Sequence, residues 1–221
     1  MFTKEQEKQQ LEKRICMVVP TLKQGGMERV MSELVNYADS IGYEVHLILL
    51  FKEKIQYSIN QSIKIYEPNF SFSNSVVYKI KIFNYLCRNI RVVNPSVLLN
   101  FGEKFNLLAI MSCLYTKQKI FISDRSSPLK KRKNIDRLLT NFFYPLADGI
   151  IAQTNLAKDI YKKRKYNSNI AAIPNPLRHM EPKSNKGINN IIVSVGRLTK
   201  SKNQEELIRI FKDINNLDWK L

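Results

Sequence analysis

Residues 15–51 read ICMVVPTLKQGGMERVMSELVNYADSIGYEVHLILLF, and this stretch decides the fold. It begins with a short apolar run at residues 15–20, rich in β-branched side chains, as expected of a strand buried on both faces. A turn with Gly25 and Gly26 follows, then apolar residues recur at helical spacing, and residues 44–51 form a second apolar run. This order of strand, glycine loop, helix and strand predicts the opening of a doubly wound α/β domain with a parallel sheet.

The same alternation of strands and helices continues along the next 120 or so residues. It ends at an apolar run followed by a proline-rich turn. The predicted strands cover residues 63–66, 96–101, 119–123, 149–153 and 170–173, and the predicted helices cover 75–93, 106–115, 135–144 and 155–165.

A second unit of the same kind is predicted after a linker. Residues 179–189 contain proline, glycine, serine and asparagine without periodicity, and the residues that follow read as strand (190–195), basic loop and helix (204–214). We therefore assign residues 1–178 to a first domain, 179–189 to the linker and 190–221 to the start of a second α/β domain. Because one strand and one helix have no sheet with which to complete a core, we expect the second domain to be truncated at residue 221.

The net charge of +17 is unusual, and it is concentrated in one half of the chain. After Ile110 there are 22 lysines and arginines against 9 aspartates and glutamates, including basic runs at residues 130–133 and 162–165. Such a field attracts nucleic acid, an anionic membrane or phosphorylated substrates. Composition does not choose among these partners, and a solvated surface is the plainer interpretation of either run.

Other features bear on the cellular compartment. The charged N-terminal segment has no apolar run of a signal peptide, and no stretch approaches the roughly 20 residues of a membrane span. Cys16, Cys87 and Cys113 lie far apart without a CxxC pair, so neither a zinc site nor a disulfide framework is indicated. These features predict a cytoplasmic protein with buried thiols.

Two loops carry candidate chemistry, and each has two interpretations. The Gly25–Gly26 turn either lets the backbone approach an anionic ligand at a helix N-terminus or only makes a tight turn. It is not a GxGxxG motif, which disfavours a nicotinamide or flavin site. Arg197 and Lys202 lie in a strand-to-helix loop, where they either hold a diphosphate or are simply solvated.

Five short motifs taken in order point to a family. They are GGMERV at 25–30, ISDRSSP at 122–128, IAQT at 151–154, IPNP at 173–176, and VGRL at 195–198 followed by Lys202. The series resembles the family 4 glycosyltransferases of the GT-B fold. It is most similar to bacterial members that add hexose or N-acetylhexosamine units to lipid-linked glycans in polysaccharide and lipopolysaccharide biosynthesis.

The resemblance implies two Rossmann-like domains, of which the first binds the acceptor and the second binds a nucleotide-sugar donor. It implies transfer with retention of anomeric configuration, a donor expected to be a UDP-sugar, and no metal or other cofactor. By the resemblance, Arg197 and Lys202 are the catalytic residues: they would contact the donor diphosphate and stabilise the negative charge that develops on the leaving nucleotide.

The resemblance also assigns donor- or acceptor-binding residues in the first domain. Gly25 and Gly26 would bring their backbone close to the donor phosphates or the acceptor. Asp124 and Arg125 match a loop that faces the cleft, which predicts acceptor binding, and Asn175 belongs to the IPNP motif. Glu28 is either a site residue or a charge that favours the helix N-terminus.

Three departures from the family pattern affect these expectations. Asn203 stands where the family commonly has glycine after the lysine. No histidine in the acceptor-side loops matches the one that many relatives place near the sugar, since His46 lies inside a predicted strand and should be structural. The acidic EX7E element of the family would lie beyond residue 221, so we expect this chain alone to have little transferase activity.

The expected partners are a nucleotide sugar and a lipid-linked glycan, at the inner face of the cytoplasmic membrane. The helix at 75–93 has an apolar stripe flanked by basic residues, so it is either a membrane-surface element or an ordinary core helix. One rival function is nucleic-acid binding, although no RNA-binding or helix-turn-helix signature accompanies the charge. Another is a non-enzymatic remnant that binds an anionic membrane.

Overall fold

A seven-stranded sheet organises the larger part of the protein. The computed structural model describes residues 13–70, 76–130, 133–177, 190–196, 198–214 and 218–221. Every strand pair is parallel, and the order across the sheet is β3-β2-β1-β4-β5-β6-β7. The strands are β1 (Arg14–Val19), β2 (Glu44–Leu49), β3 (Lys64–Tyr66), β4 (Val97–Phe101), β5 (Lys119–Ser123), β6 (Gly149–Ala152) and β7 (Ile170–Ala172).

A helix lies in every connection between successive strands except that from β2 to β3, where residues 50–63 are irregular. The prediction of a doubly wound α/β sheet is confirmed. The helices are α1 (Gly26–Ser40), α2 (Val76–Val93), α3 (Asn106–Thr116), α4 (Asn134–Phe143) and α5 (Asn155–Lys163), with short 3-10 turns at Glu103–Phe105 and Tyr144–Leu146.

The sheet has one hydrophobic core on each face, because successive side chains of a strand point to opposite sides. In β1, Cys16 and Val18 belong to one core, while Met17 and Val19 belong to the other. Helix α1 covers the second face, and α2, α3 and α5 contribute to the first. As the core-helix interpretation of the 75–93 segment predicts, α2 buries Tyr78, Ile82, Leu86, Cys87, Ile90 and Val93.

The strand order reverses between β1 and β4. In a doubly wound sheet the connections on either side of such a reversal run to opposite faces, which leaves a crevice at the carboxyl ends of the strands. The loops after β1, β4 and β5 all open at that edge, and they contain the GGMER and SDRS motifs.

The chain divides into two compact units, Met1–Leu177 and Arg178–Leu221. In the described part of the second unit there is a 3-10 turn at Lys200–Lys202 and a helix, α6 (Gln204–Ile214). The prediction of a strand over 190–195 is wrong. The only pairing among the described residues there is one parallel bridge between Ile191 and Lys220. A strand needs a neighbour to pair its backbone groups, and no second neighbour is present among the described residues of this unit.

None of the helices in the described ranges has both the length and the apolar character needed to span a bilayer.

Candidate ligand-binding cleft

The glycine loop after β1 is held by a tyrosine from the next crossover. The Gly25 N–H donates to Tyr57 Oη at 3.0 Å, and the Tyr57 hydroxyl donates to the Gly25 carbonyl at 2.6 Å. Gly25 has extended backbone (φ −179°), so its conformation does not demand glycine, but a Cβ there would collide with the Glu28 carboxylate. A Cβ on Gly26 would meet no atom within 4 Å, so its surroundings are open.

The loop after β4 forms the opposite wall, and here glycine is required. Gly102 has φ +127°, a conformation that side-chain-bearing residues rarely adopt, and a Cβ would lie 3.4 Å from Met27 Sδ of α1. Its N–H donates to the Ser123 carbonyl at 3.0 Å, which ties the end of β4 to the end of β5. The two walls therefore approach each other closely.

Between these walls lies a cleft of about 500 Å³. Its apolar lining includes Met27, Phe51 and Phe105, of which the two phenylalanine rings meet edge to face at 5.4 Å. Charged residues from both sides of the switch point complete it: Lys23, Glu28, Glu103, Lys104 and Arg125. A second recess of about 670 Å³ shares Thr21, Lys23 and Phe51 with it, but the cleft is the stronger candidate because it contains Arg125 and Ser126.

A buried polar network lies beneath the cleft. Asn106 Nδ2 donates to Asp124 Oδ1 at 2.7 Å and to Tyr144 Oη at 2.9 Å, and the Tyr144 hydroxyl donates to the same carboxylate oxygen at 2.8 Å. Asn100 Nδ2 donates to Asn106 Oδ1 at 2.6 Å. All four residues are buried. The structure thus places Asp124 under the cleft, where it joins β4, α3 and β5, rather than on the wall that a ligand would touch.

Arg125 lies on the wall itself. Its guanidinium stacks on the Phe101 ring, with Cζ 3.6 Å from the ring centroid, and its Nη1 donates to Asn175 Oδ1. Burial lowers the pKa of Arg125 to about 10, so it remains charged at neutral pH. A cation that is already largely desolvated binds an anion more strongly than a hydrated one.

The structure brings some predicted site residues together and separates others. Arg125 and Asn175, 50 residues apart in sequence, are in direct contact, and Glu28 lines the same cleft, where it accepts a 3.4 Å hydrogen bond from Thr21 Oγ1. Lys202 is exposed in the second unit, and Arg197 lies outside the described residues.

Several functional residues were missed by sequence reasoning. Gln153 Nε2 donates to Asn175 Oδ1 at 3.2 Å, and the same oxygen accepts from Arg125. Residues of the IAQT and IPNP motifs therefore position Arg125 together. Asn100 and Asn106 could have been found, because an asparagine at the end of an apolar strand and another at the start of an apolar helix both need buried partners. Nothing in the sequence signals that Tyr57 clamps the glycine loop.

His46 is structural, as predicted. It is buried in β2, with Nδ1 2.9 Å from Tyr66 Oη and Nε2 3.0 Å from Glu44 Oε1. The three cysteines are free and buried, which matches the expectation of buried thiols.

The parallel sheet, with its strand order reversing between β1 and β4, is that of a doubly wound α/β domain, a class of protein that binds ligands at this switch point. Residues 24–179 match the sequence profile of Glycosyltransferase Family 4, and the chain belongs to that family.

Three similar proteins show what kind of members this chain resembles. N-acetylgalactosamine-N,N'-diacetylbacillosaminyl-diphospho-undecaprenol 4-alpha-N-acetylgalactosaminyltransferase of Campylobacter jejuni is 28% identical over 220 residues, covering 90% of this chain and 59% of that protein. GalNAc-alpha-(1->4)-GalNAc-alpha-(1->3)-diNAcBac-PP-undecaprenol alpha-1,4-N-acetyl-D-galactosaminyltransferase of the same organism is 23% identical over 215 residues, covering 94% and 58%. The structure of the lipopolysaccharide outer core galactosyltransferase WaaB superposes with a TM-score of 0.59 at 17% identity, covering 80% of this chain and 51% of WaaB, and shares the fold.

The chain therefore spans somewhat more than half the length of the curated relatives it matches.

Proposed function

We propose that this protein is the acceptor-side part of a retaining glycosyltransferase that transfers a sugar from a UDP-sugar to a lipid-linked glycan. The observation that carries the proposal is the cleft at the switch point, with a desolvated arginine, two carboxylates and facing aromatic rings in one recess. Carboxylates accept hydrogen bonds from sugar hydroxyls, and arginine binds phosphate oxygens. The cleft thus suits a phosphorylated sugar. The names of the two Campylobacter relatives, both of which act on diphospho-undecaprenol-linked sugars, support the lipid-linked acceptor.

In this proposal the two units have separate tasks. The first unit binds and orients the acceptor, while Arg197 and Lys202 of the second unit bind the donor diphosphate and stabilise the charge on the leaving nucleotide.

We further propose that helix α4 rests on an anionic membrane surface. Its outward face exposes Ile135 (64%), Leu138 (69%) and Phe142 (67%), and it carries Arg137 and follows the basic residue Lys133. An exposed apolar stripe beside basic side chains is the pattern of a helix that lies in a lipid interface. This assigns the membrane role to α4, whereas α2 is a core helix.

Acceptor binding can be tested separately from transfer. The probe is a diphosphate-linked N-acetylhexosamine on a short polyprenyl chain, added to vesicles of phosphatidylglycerol and phosphatidylcholine. We expect co-sedimentation of the protein that increases with the acceptor and with the anionic lipid. If the protein does not bind the acceptor but binds a random oligonucleotide with steep salt dependence, nucleic-acid binding is the function instead.

Two variants locate the membrane contact. Leu138→Glu on α4 should weaken vesicle binding about tenfold, because it puts a charge on the interfacial stripe. Val77→Glu, at a position 60% exposed on α2, is the matched control and should bind as the unsubstituted protein does. Equal loss in both variants would contradict the assignment to α4.

A further inference from the structure

One edge of the Arg125 guanidinium has no partner among the residues that the structure describes. A guanidinium has five N–H donors, and here Nη1 donates to Asn175. Nε is buried and has no hydrogen-bond partner, and no acceptor contacts Nη2 within the described ranges. Nε and Nη2 form the side-on fork, the edge that binds two oxygens of a carboxylate or phosphate in parallel.

The fork is held in place before any ligand arrives. Phe101 stacks under its plane, and Asn175 fixes the opposite edge. Asn175 is itself fixed by Gln153. The loops after β5, β6 and β7 thus converge on a single guanidinium. A donor whose rotamer is already fixed loses less entropy on binding, which is why such prearranged forks recognise oxyanions well.

A second orphaned polar atom adjoins the fork. Ser126 Oγ is buried without a hydrogen-bond partner in the described part of the chain, and Ser126 lines the same cleft as Arg125. A buried hydroxyl or N–H without a partner destabilises the folded protein, so two of them side by side indicate a site that a ligand completes.

The rest of the cleft indicates which oxyanion fits. Lys23 and Lys104 add positive charge along the wall. Glu103 contacts Lys130 at 3.8 Å, and Glu28 is close to Thr21, so both carboxylates are positioned to accept hydroxyl groups. A ligand that combines an anionic end with a polyhydroxylated body satisfies both parts, whereas a plain carboxylic acid offers the carboxylates of the wall no hydroxyl donors.

We propose that the Nε/Nη2 edge of Arg125, together with the Ser126 hydroxyl, is an oxyanion subsite that binds a phosphate of a sugar diphosphate in bidentate fashion. This deepens the proposed function, on which the identity of the sugar ligand rests. The phosphate belongs either to the lipid-diphosphate of an acceptor or to the diphosphate of a nucleotide sugar. The chemistry at the fork is the same for both.

The test observes the fork directly. Arginine Nε–Hε signals of the full chain are recorded by ¹⁵N–¹H NMR during titration with inorganic pyrophosphate, and the Arg125 signal is assigned in the unsubstituted protein through its backbone resonances. We expect the Arg125 signal to shift with saturation. Arg125→Lys keeps the charge but loses the fork, so its pyrophosphate affinity should fall at least tenfold.

Matched serine variants give a second measurement. Ser126→Ala should weaken pyrophosphate binding several-fold, while Ser127→Ala, at the exposed neighbouring position, should not change it. If Arg125→Lys binds pyrophosphate as tightly as the unsubstituted protein, general charge attraction explains the binding and the subsite is refuted. A saturating titration that leaves the Arg125 Nε signal unmoved refutes it as well, even where Arg125→Lys fails to fold.

Two further ligands separate the sources of the phosphate. Farnesyl diphosphate stands for the acceptor and UDP for the donor, and the one whose affinity falls more in Arg125→Lys identifies the source. Acceptor capture by vesicles, with farnesyl diphosphate and UDP affinities that are all unaffected by Arg125→Lys, overturns the subsite but leaves the proposed function standing. Pyrophosphate binding at Arg125 in a protein that does not capture the acceptor supports the subsite and contradicts the proposed function.

Discussion

Two parts of this chain begin with the same local pattern and have different surroundings. Residues 14–40 and 190–214 each read as an apolar run, a loop and an amphipathic helix. In the first, Val30, Met31 and Val35 of α1 are all at most 1% exposed. In the second, Ile208 and Ile210 of α6 are 60% and 49% exposed, and none of the described residues of that unit is buried.

The difference shows that the local pattern specifies a helix but not its stability. Most helical stability in proteins comes from packing an apolar face, and an isolated helix as short as α6 is marginal in water. We therefore expect the described part of Met1–Leu177 to unfold cooperatively and α6 to contribute little to that transition. Trp219, the only tryptophan of the chain, reports on the second unit, while circular dichroism is dominated by the first.

The largest effect should come from the buried network of the first unit. Asn106→Asp places a carboxylate beside Asp124, where Asn106 Nδ2 now donates at 2.7 Å. Because two buried like charges repel and a donor is lost, we expect the free energy of unfolding to fall by about 3–5 kcal/mol. Urea unfolding followed by circular dichroism measures this.

The matched control is Asn84→Asp, at an exposed position of α2, which should change stability by less than about 0.5 kcal/mol. Fluorescence of Trp219 in native buffer should be the same in both variants. A Trp219 transition that follows the circular-dichroism transition in both would show that the two units unfold as one, and would remove the contrast between them.

The sequence predicts the elements of the first region better than those of the second, and packing is again the reason. The order and type of the elements in residues 14–172 were predictable because each apolar run packs against a neighbour that its own periodicity implies. The strand expected at 190–195 was not, because β pairing depends on partner strands that a local pattern does not supply. Its one pairing, Ile191 with Lys220, joins residues 29 positions apart.

The site was only partly predictable. The motif series selected Arg125 and Asn175, which meet in space, and also Asp124, which the structure places in the network under the cleft. Sequence adjacency cannot tell which of two neighbours faces the cleft, because that depends on how the loop leaves β5. Arg125 stacks on Phe101 and donates to Asn175, which also accepts from Gln153. These contacts follow from the sheet order, which brings the ends of β4, β5, β6 and β7 together.

A smaller effect should appear on acidification, again in the first unit only. Burial opposes ionisation of Glu44, but hydrogen bonds from Arg14, Lys64 and His46 outweigh it and lower its pKa to about 2. The pKa is lower in the folded than in the unfolded state, where it is near 4.5, so the stabilisation is complete above pH 4.5 and is lost as the pH falls towards 2. With 28% of the Glu44 side chain exposed, we expect a loss of about 1–2 kcal/mol.

The measurement is urea unfolding by circular dichroism between pH 5 and pH 2.5, in the unsubstituted protein and in Glu44→Gln. The amide cannot titrate, so Glu44→Gln should be less stable at pH 5 and show a shallower decrease with acid. Parallel pH profiles for the two proteins would exclude Glu44 as the source of the slope. The Trp219 fluorescence should not change on this substitution, since Glu44 and its partners all belong to the first unit.

The smallest effect compares the same backbone conformation in both units. Asn203 precedes α6 with φ 52° and ψ 32°, and its carbonyl accepts a hydrogen bond from the Leu207 N–H at 3.0 Å; Asn94, between α2 and β4, has φ 46°. Glycine adopts this left-handed conformation freely, and asparagine tolerates it. Alanine does not, so each Asn→Ala change should cost about 1 kcal/mol locally, and Asn94→Ala also loses the exposed hydrogen bond that Asn94 Oδ1 accepts from Gln118 Nε2 at 2.9 Å. In Asn94→Ala this cost should lower the urea midpoint of the first unit, because the packed core unfolds as a whole.

In Asn203→Ala the local cost should leave that midpoint unchanged and speed hydrogen exchange in α6 about fivefold. Asn203→Gly should leave α6 exchange within about twofold of the unsubstituted protein. A lowered midpoint in Asn203→Ala would mean that α6 belongs to the same cooperative unit as the sheet, despite its exposed apolar face.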